Sequence, residues 1–203
     1  MPCLTDRDER AEAAGSQAEM TETKIVSDRL YEGRILNLRV DSVRLPDGRT
    51  ARREVVEHGV AVAVLAENER GELLLISQFR YPAGEAMIEL PAGIVEQGES
   101  CEAAAVRELQ EETGWRPGRI VKVSEFYTSP GFSSELLKMY YATDLAPSKL
   151  KHDDDEFIIS RFLPPESALE LVEEGGVRDA KTLYGIYWWL RRRAARDRGF
   201  SEV

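Results

Sequence analysis

Histidine and cysteine are scarce in this chain: 203 residues contain only His58, His152, Cys3 and Cys101. No CxxC occurs, which argues against both a disulfide scaffold and a zinc cluster, and two histidines are too few for a His-rich metal site. No apolar run reaches the length needed to span a bilayer, so no membrane contact is expected. The opening Met1-Pro2-Cys3-Leu4-Thr5-Asp6-Arg7 lacks the apolar segment of a signal peptide, and a cytoplasmic protein is expected. Positive charge is also short: 27 Lys and Arg stand against 37 Asp and Glu, a net charge of -10. An acidic surface argues against a general nucleic-acid binder, which needs a basic stripe. A phosphate-bearing small molecule remains compatible, because a bound cation reverses the local sign of the field.

What is present is ordinary for a globular enzyme, with 42% apolar and 32% charged residues. The length fits one domain with a small extra element. Residues 1–23 are polar, charged and Ala-rich without periodicity, and read as a disordered tail. A β element is expected over 24–57. There Ile35–Val40 and Val43–Leu45 alternate, Pro46-Asp47-Gly48-Arg49 carries a hairpin signal, and Arg52–Val56 returns. The remaining domain, 58–203, opens with two buried strands, Val60–Leu65 and Leu73–Ile76, around an Asn68–Gly71 turn. A helix is predicted from about Ser100 to Thr113, with Gly114 placed to end it. Strands near 119–127, 135–143 and 157–163 follow. A helix is expected after Pro164-Pro165, and a last one from about Asp179 to Arg196 with Leu183, Ile186, Tyr187 and Leu190 as its core face. The Arg191-Arg192-Arg193 run reads as a solvated face that complements the helix dipole. Mixed strands with helices against them predict an α/β/α sandwich.

The chemistry concentrates between Gly93 and Trp115. Glu108 and Glu112 are i and i+4 on one helix and share a face, with Glu111 beside them, while Ala105, Val106 and Leu109 form the apolar stripe. Carboxylates crowded along a buried edge repel one another, and a hard divalent cation relieves that repulsion. Oxygen ligands alone favour Mg²⁺ or Mn²⁺ over Zn²⁺. Arg107 is spaced to pair with Glu111 at i+4. Taken alone, Arg-Glu-Leu-x-Glu-Glu is a common surface-helix string.

The wider segment is less common. Gly93, five residues, Glu99, seven residues, then Arg107-Glu108-Leu109-x-Glu111-Glu112-x-Gly114 resembles the Nudix box at every charged and glycine position. The loose fit is Trp115, where a smaller aliphatic residue is usual. The resemblance implies a Nudix fold, an α/β/α sandwich around a mixed sheet with an N-terminal antiparallel β element. It implies that Glu108 and Glu112 are principal metal ligands, that Glu111 is a further ligand and that Glu99 is a weaker one. The backbone carbonyl of Ala92 would add another ligand, and Arg107 would be the structural partner of the carboxylates.

Outside the box the chain resembles the ADP-ribose pyrophosphatase subgroup. Gln78-Phe79-Arg80 would bring Arg80 to phosphate or the terminal ribose, and Glu89-Leu90-Pro91-Ala92-Gly93 runs into the box. Thr128–Glu135 carries Pro130 fifteen residues beyond Trp115, with Ser133 and Glu135 as further substrate contacts. Asp153-Asp154-Asp155-Glu156 resembles the acidic loop that supplies a catalytic base, Glu156 first and Asp154 second, with Glu111 as a further catalytic candidate. Relatives generally have glutamate where this chain has Asp154, and often an acidic residue where it has Ile159. Arg52 or Arg53 would reach the nucleotide. The resemblance also implies a homodimer through strands 24–57, and hydrolysis of ADP-ribose to AMP and ribose 5-phosphate. Three alternatives remain: a hydrolase of another nucleoside-diphosphate sugar such as GDP-mannose, a mutator-type nucleoside-triphosphate hydrolase, against which the Pro130 loop speaks, and a non-catalytic ADP-ribose sensor. Against the sensor stand an intact box and the short stretch after the acidic loop, too short for an added winged helix.

Overall fold

The computed structural model describes residues 19–148 and 157–198. These form two compact units. One contains the described residues up to His58 together with Ser129–Ser134, and the other contains Gly59–Thr128 and the described residues from Glu135 onward.

The N-terminal unit is an antiparallel meander of β1 (Thr23–Glu32), β2 (Leu36–Arg44) and β3 (Thr50–His58). The two alternating stretches read separately in the sequence are one strand, β2, paired without a break from Leu36↔His58 to Arg44↔Thr50. The turn behaves as its residues dictate. Gly48 takes φ 86°, and the Asp47 side chain accepts the Arg49 N–H at 3.0 Å. Residues 129–134 add to the free edge of β3: the Val56 N–H donates to the Phe132 carbonyl, and the Ser134 N–H donates to that of Val56.

The second unit is built around β4 (Ala61–Ala66), all six residues of which are buried. It lies inside a four-stranded mixed sheet in the order β7 (Ala92–Ile94), β4, β9 (Leu136–Pro147) and β8 (Trp115–Tyr127), with β4 and β9 parallel. A second, antiparallel sheet runs β10 (Ile159–Leu163), β5 (Leu73–Arg80), β6 (Glu85–Glu89). Both faces of β4 are covered, so its sequence is a continuous apolar run with no polar alternation. Ala61, Ala63 and Leu65 pack with α2 (Pro165–Glu173) and α3 (Ala180–Asp197) through Ala168, Val172, Ile186 and Trp189. Val62, Val64 and Ala66 pack with α1 (Cys101–Thr113) through Ala104, Ala105 and Leu109. Helices therefore lie on both sides of a mixed sheet.

Two details of α3 differ from the sequence reading. Tyr187 is exposed and Trp189 fully buried, because the inward line of the helix runs through Thr182, Ile186 and Trp189. Arg193 is not a solvated cation. It donates to the buried carboxylate of Glu67 at 2.7 Å, which also accepts from the Tyr141 hydroxyl at 2.7 Å and the Trp189 indole at 2.6 Å. A buried charge is tolerable when hydrogen-bonded on this scale. Among the described residues no helix is long and apolar enough to cross a membrane.

Candidate functional site

The box begins on β7. Its pairing with β4 is short, Ala61↔Ile94 to Ala63↔Ala92, and is extended by the Val95 N–H donating to the Val60 carbonyl. This lays Ala92 and Gly93 beside α1. The helix starts where Ser100 accepts the Ala103 N–H at 3.1 Å and ends at Gly114, in the left-handed region at φ 72°. Its buried face contains Ala104, Ala105, Leu109, Glu112 and Thr113, so Glu112 lies within the apolar face that the sequence pattern had it flanking. Glu112 is compensated by the Ala92 N–H, which donates to it at 2.9 Å. Gly93 faces Glu108 so closely that a Cβ there would fall 2.1 Å from the carboxylate carbon. With the Glu108 carboxylate in this position, only glycine fits the strand's close approach.

Arg107 gathers the other acids. It donates to both oxygens of Glu99 at 3.1 Å, to Glu108 at 2.8 Å, to Glu111 at 2.9 Å and to the Ile94 carbonyl at 3.1 Å. The Glu111 bond is the i+4 pair expected from spacing. The Glu99 bond is the main cause holding the Arg107 guanidinium well above its ordinary range, and it holds the Glu99 carboxyl below its own.

A second network lies just upstream and was not visible in the sequence. Glu89 is buried and accepts the two-pronged guanidinium of Arg80 at 2.7 and 2.8 Å and the Lys181 ammonium at 2.5 Å. Lys181 also lies 3.1 Å from Asp179, which caps α3 by accepting from the Thr182 N–H at 3.0 Å. Thr182 Oγ1 accepts the Leu90 N–H at 2.8 Å. The first turn of α3 thus clamps the strand that leads into Ala92. The one hint in the sequence is Glu89 itself, an acid between Ile88 and Leu90.

The remaining predicted residues are more dispersed. Arg53 forks onto Glu22 at the exposed edge of the N-terminal unit, which also holds Arg52, Pro130 and Ser133. Glu135 belongs to the second unit, where it accepts a short bond from the Thr128 hydroxyl. Asp154 and Glu156 lie outside the described residues.

The donor set suits a hard divalent cation in kind: four carboxylates with the backbone of Ala92–Gly93 alongside, and a glycine leaving room where a side chain would obstruct. As they stand, no three Asp, Glu, His or Cys side chains among the described residues are arranged to hold one. Glu99, Glu108 and Glu111 face Arg107 instead, and Glu108 and Glu111 each have a second carboxylate oxygen and a flexible stem with which to turn.

Residues 57–185 match the NUDIX domain family. The chain belongs to the Nudix family. Residues 22–56 of this Nudix protein match a second family, the nucleoside diphosphate sugar hydrolase N-terminal domain. Proteins called ADP-ribose pyrophosphatase are 40% identical to it in Bacillus subtilis (83% of this chain, 92% of that protein) and in Mycobacterium tuberculosis (80% of each). A methanol dehydrogenase activator of Bacillus methanolicus is 36% identical over 82% of this chain and 91% of its own. A crystal structure of an ADP compounds hydrolase superposes with a TM-score of 0.77 at 20% identity, covering 89% of this chain and 97% of that one, and shows the fold. Nudix hydrolases generally use divalent metal ions.

Proposed function

We propose that this Nudix protein hydrolyses ADP-ribose to AMP and ribose 5-phosphate, with Mg²⁺ bound at the box and Mn²⁺ as a substitute. The observation that carries the reading is the convergence of Gly93, Glu99, Arg107, Glu108, Glu111 and Glu112 between β7 and α1. The substrate is supported by the two ADP-ribose pyrophosphatases at 40% identity.

Glu108 and Glu112 would be the principal metal ligands, with Glu111, Glu99 and the Ala92 carbonyl as further ones. A divalent cation held by these residues would supply charge neutralisation of the pyrophosphate and would make a bound water more acidic. The chain's own residues do the rest. Arg107 sets the carboxylates' positions. Glu156, or Asp154 in its place, takes the proton of the attacking water. The water oxygen bonds to one phosphorus, the bond between that same phosphorus and the bridging oxygen breaks, and the other phosphate leaves with the bridging oxygen. Arg80 is held by Glu89, so its guanidinium is oriented before substrate arrives, which favours phosphate or ribose recognition. Arg52, Arg53, Pro130, Ser133 and Glu135 are assigned to the substrate on the resemblance.

The same reading makes the protein a cytoplasmic homodimer joined through the N-terminal strands. Every residue of β1 is exposed, including Ile25, Val26, Leu30 and Tyr31, and apolar strands of this kind are usually covered. Sedimentation analysis that returns a monomer would remove this part alone.

The test is product chromatography after incubation with ADP-ribose, GDP-mannose or ADP-glucose, each with Mg²⁺ and with excess EDTA. AMP forming fastest from ADP-ribose, and only with metal, is the expected result. Faster cleavage of another nucleotide sugar overturns the substrate. No cleavage of any of them with Mg²⁺ or Mn²⁺ overturns the hydrolase.

A further inference from the structure

The arginines that close α3 have no part in that chemistry. They face a groove of ≈ 1130 Å³ bordered by the β4–β5 turn, by β8 around Arg119–Val123, by β9 at Tyr141–Asp144 and by the last turns of α3. No box residue lines it. Six of its side chains are cations, Arg70, Arg119, Lys122, Arg192, Arg193 and Arg196, against three carboxylates. In a chain of net charge -10 this is a local reversal of sign.

Arg193 pairs with Glu67 at 2.7 Å, Arg70 with Glu72 at 3.2 Å and Lys122 with Glu125 at 3.0 Å. Arg119 and Arg196 have no ion pair among the described residues. Arg192 is held over the Tyr141 ring, 4.9 Å from its centre, and 5.6 Å from that of Trp188. Stacking of this kind fixes a guanidinium in place. Tyr141 adds no negative charge. Burial first, and then its bond to Glu67, push its hydroxyl up to about 12. The rim is fixed too. Asp144 is the one non-glycine residue with positive φ (57°) among the described residues, and Gly118 lies so near that a Cβ there would be 2.9 Å from the Asp144 Cβ. Cations in the last turn of a helix complement its dipole. That does not account for Arg119 and Lys122, which come from a strand.

We propose that this groove is a second ligand site, taking a phosphorylated small molecule of mononucleotide size through Arg119, Arg192 and Arg196. Guanidinium forks match phosphate oxygens two at a time. The volume lies just above the usual range of small-molecule pockets, about 300–1,000 Å³, and is far larger than a bare phosphate needs.

The test uses the three tryptophan indole N–H signals of the ¹⁵N-labelled full chain in excess EDTA at constant ionic strength, titrated with inorganic phosphate or with AMP. Trp188 is at the groove, Trp189 bonds Glu67 beneath it, and Trp115 lies in the other core and reports an intact fold. Saturable movement of the Trp188 signal is expected, tighter for AMP than for phosphate. The exposed double variant Arg119→Ser/Arg196→Ser should weaken it about tenfold or more, while Glu112→Gln leaves it unchanged. Equal affinity for phosphate and AMP overturns the size assignment. No saturable movement with either ligand, full affinity in the double variant, or loss in Glu112→Gln overturns the site.

Discussion

The Glu108 carboxylate occupies the space that any side chain at position 93 would need. The obstructing atoms are the end of a flexible side chain, so the strand can accept a methyl group if Glu108 moves away. Gly93→Ala is therefore expected to keep the fold and displace a metal ligand. The melting temperature should fall by a few degrees at most, while kcat/KM drops about 10²-fold, the scale of an ångström-level misplacement. Steady-state kinetics beside a thermal melt check this, and an unimpaired enzyme would mean that Glu108 need not stand where it does.

Arg107 is the cation that keeps Glu99, Glu108 and Glu111 together in the absence of metal. In Arg107→Met their repulsion is uncompensated, and the metal-free protein should lose about 1–3 kcal/mol. Added Mg²⁺ should then raise the variant's melting temperature more than that of the parent. Equal increments would separate Arg107 from the metal site.

Glutamine at 112 retains an oxygen to accept the Ala92 N–H and loses the negative charge. Glu112→Gln should melt near the parent temperature and turn over more slowly by orders of magnitude. In the acidic loop, Glu156→Gln should lower kcat more than it raises KM. If Asp154→Asn has that effect in its place, the two exchange roles.

Glu89 gives the pH dependence. Burial alone would raise its pKa, but the Arg80 fork and the Lys181 ammonium outweigh it and hold the carboxyl below the usual range. A depressed folded pKa contributes stability above the unfolded value, near ~4.3, and that stability is lost as pH falls through the folded value. Urea melts of the parent and of Glu89→Gln should differ most above about pH 5 and converge in stronger acid. A gap that stays constant across that range would show that Glu89 does not carry the ionisation.

The parts legible in the sequence are those governed by local chemistry. The turn at Pro46–Arg49, the buried runs of β4 and β5, and α1 with Ser100 and Gly114 at its ends follow from propensity, periodicity and capping. The box carboxylates were legible through their spacing. What escaped depends on partners distant in the chain. Trp189 takes the inward position because Glu67 is there to accept its indole N–H, and Tyr187, an equally apolar neighbour, turns outward. Glu89 is buried because residues 80 and 181 converge on it from other elements. Arg80 is nine residues from Glu89, but no window of a dozen residues contains Glu89 with Lys181 or Glu67 with Trp189.

The parallel pairing of β4 with β9, from Ala61↔Leu137 to Ala66↔Ala142, has a consequence for how the protein is made. Between the two strands lie β5, β6, β7, α1 and β8, hence the whole box. Every box carboxylate is therefore synthesised before the strand that completes its supporting sheet, and long-range parallel pairing is slow to form. A nascent or truncated chain ending before Leu136 carries the full motif, yet leaves the apolar run Ala61–Ala66 without β9 at its edge. Such a fragment is a candidate for aggregation or chaperone capture, and the site comes into being late, as one of the last products of folding.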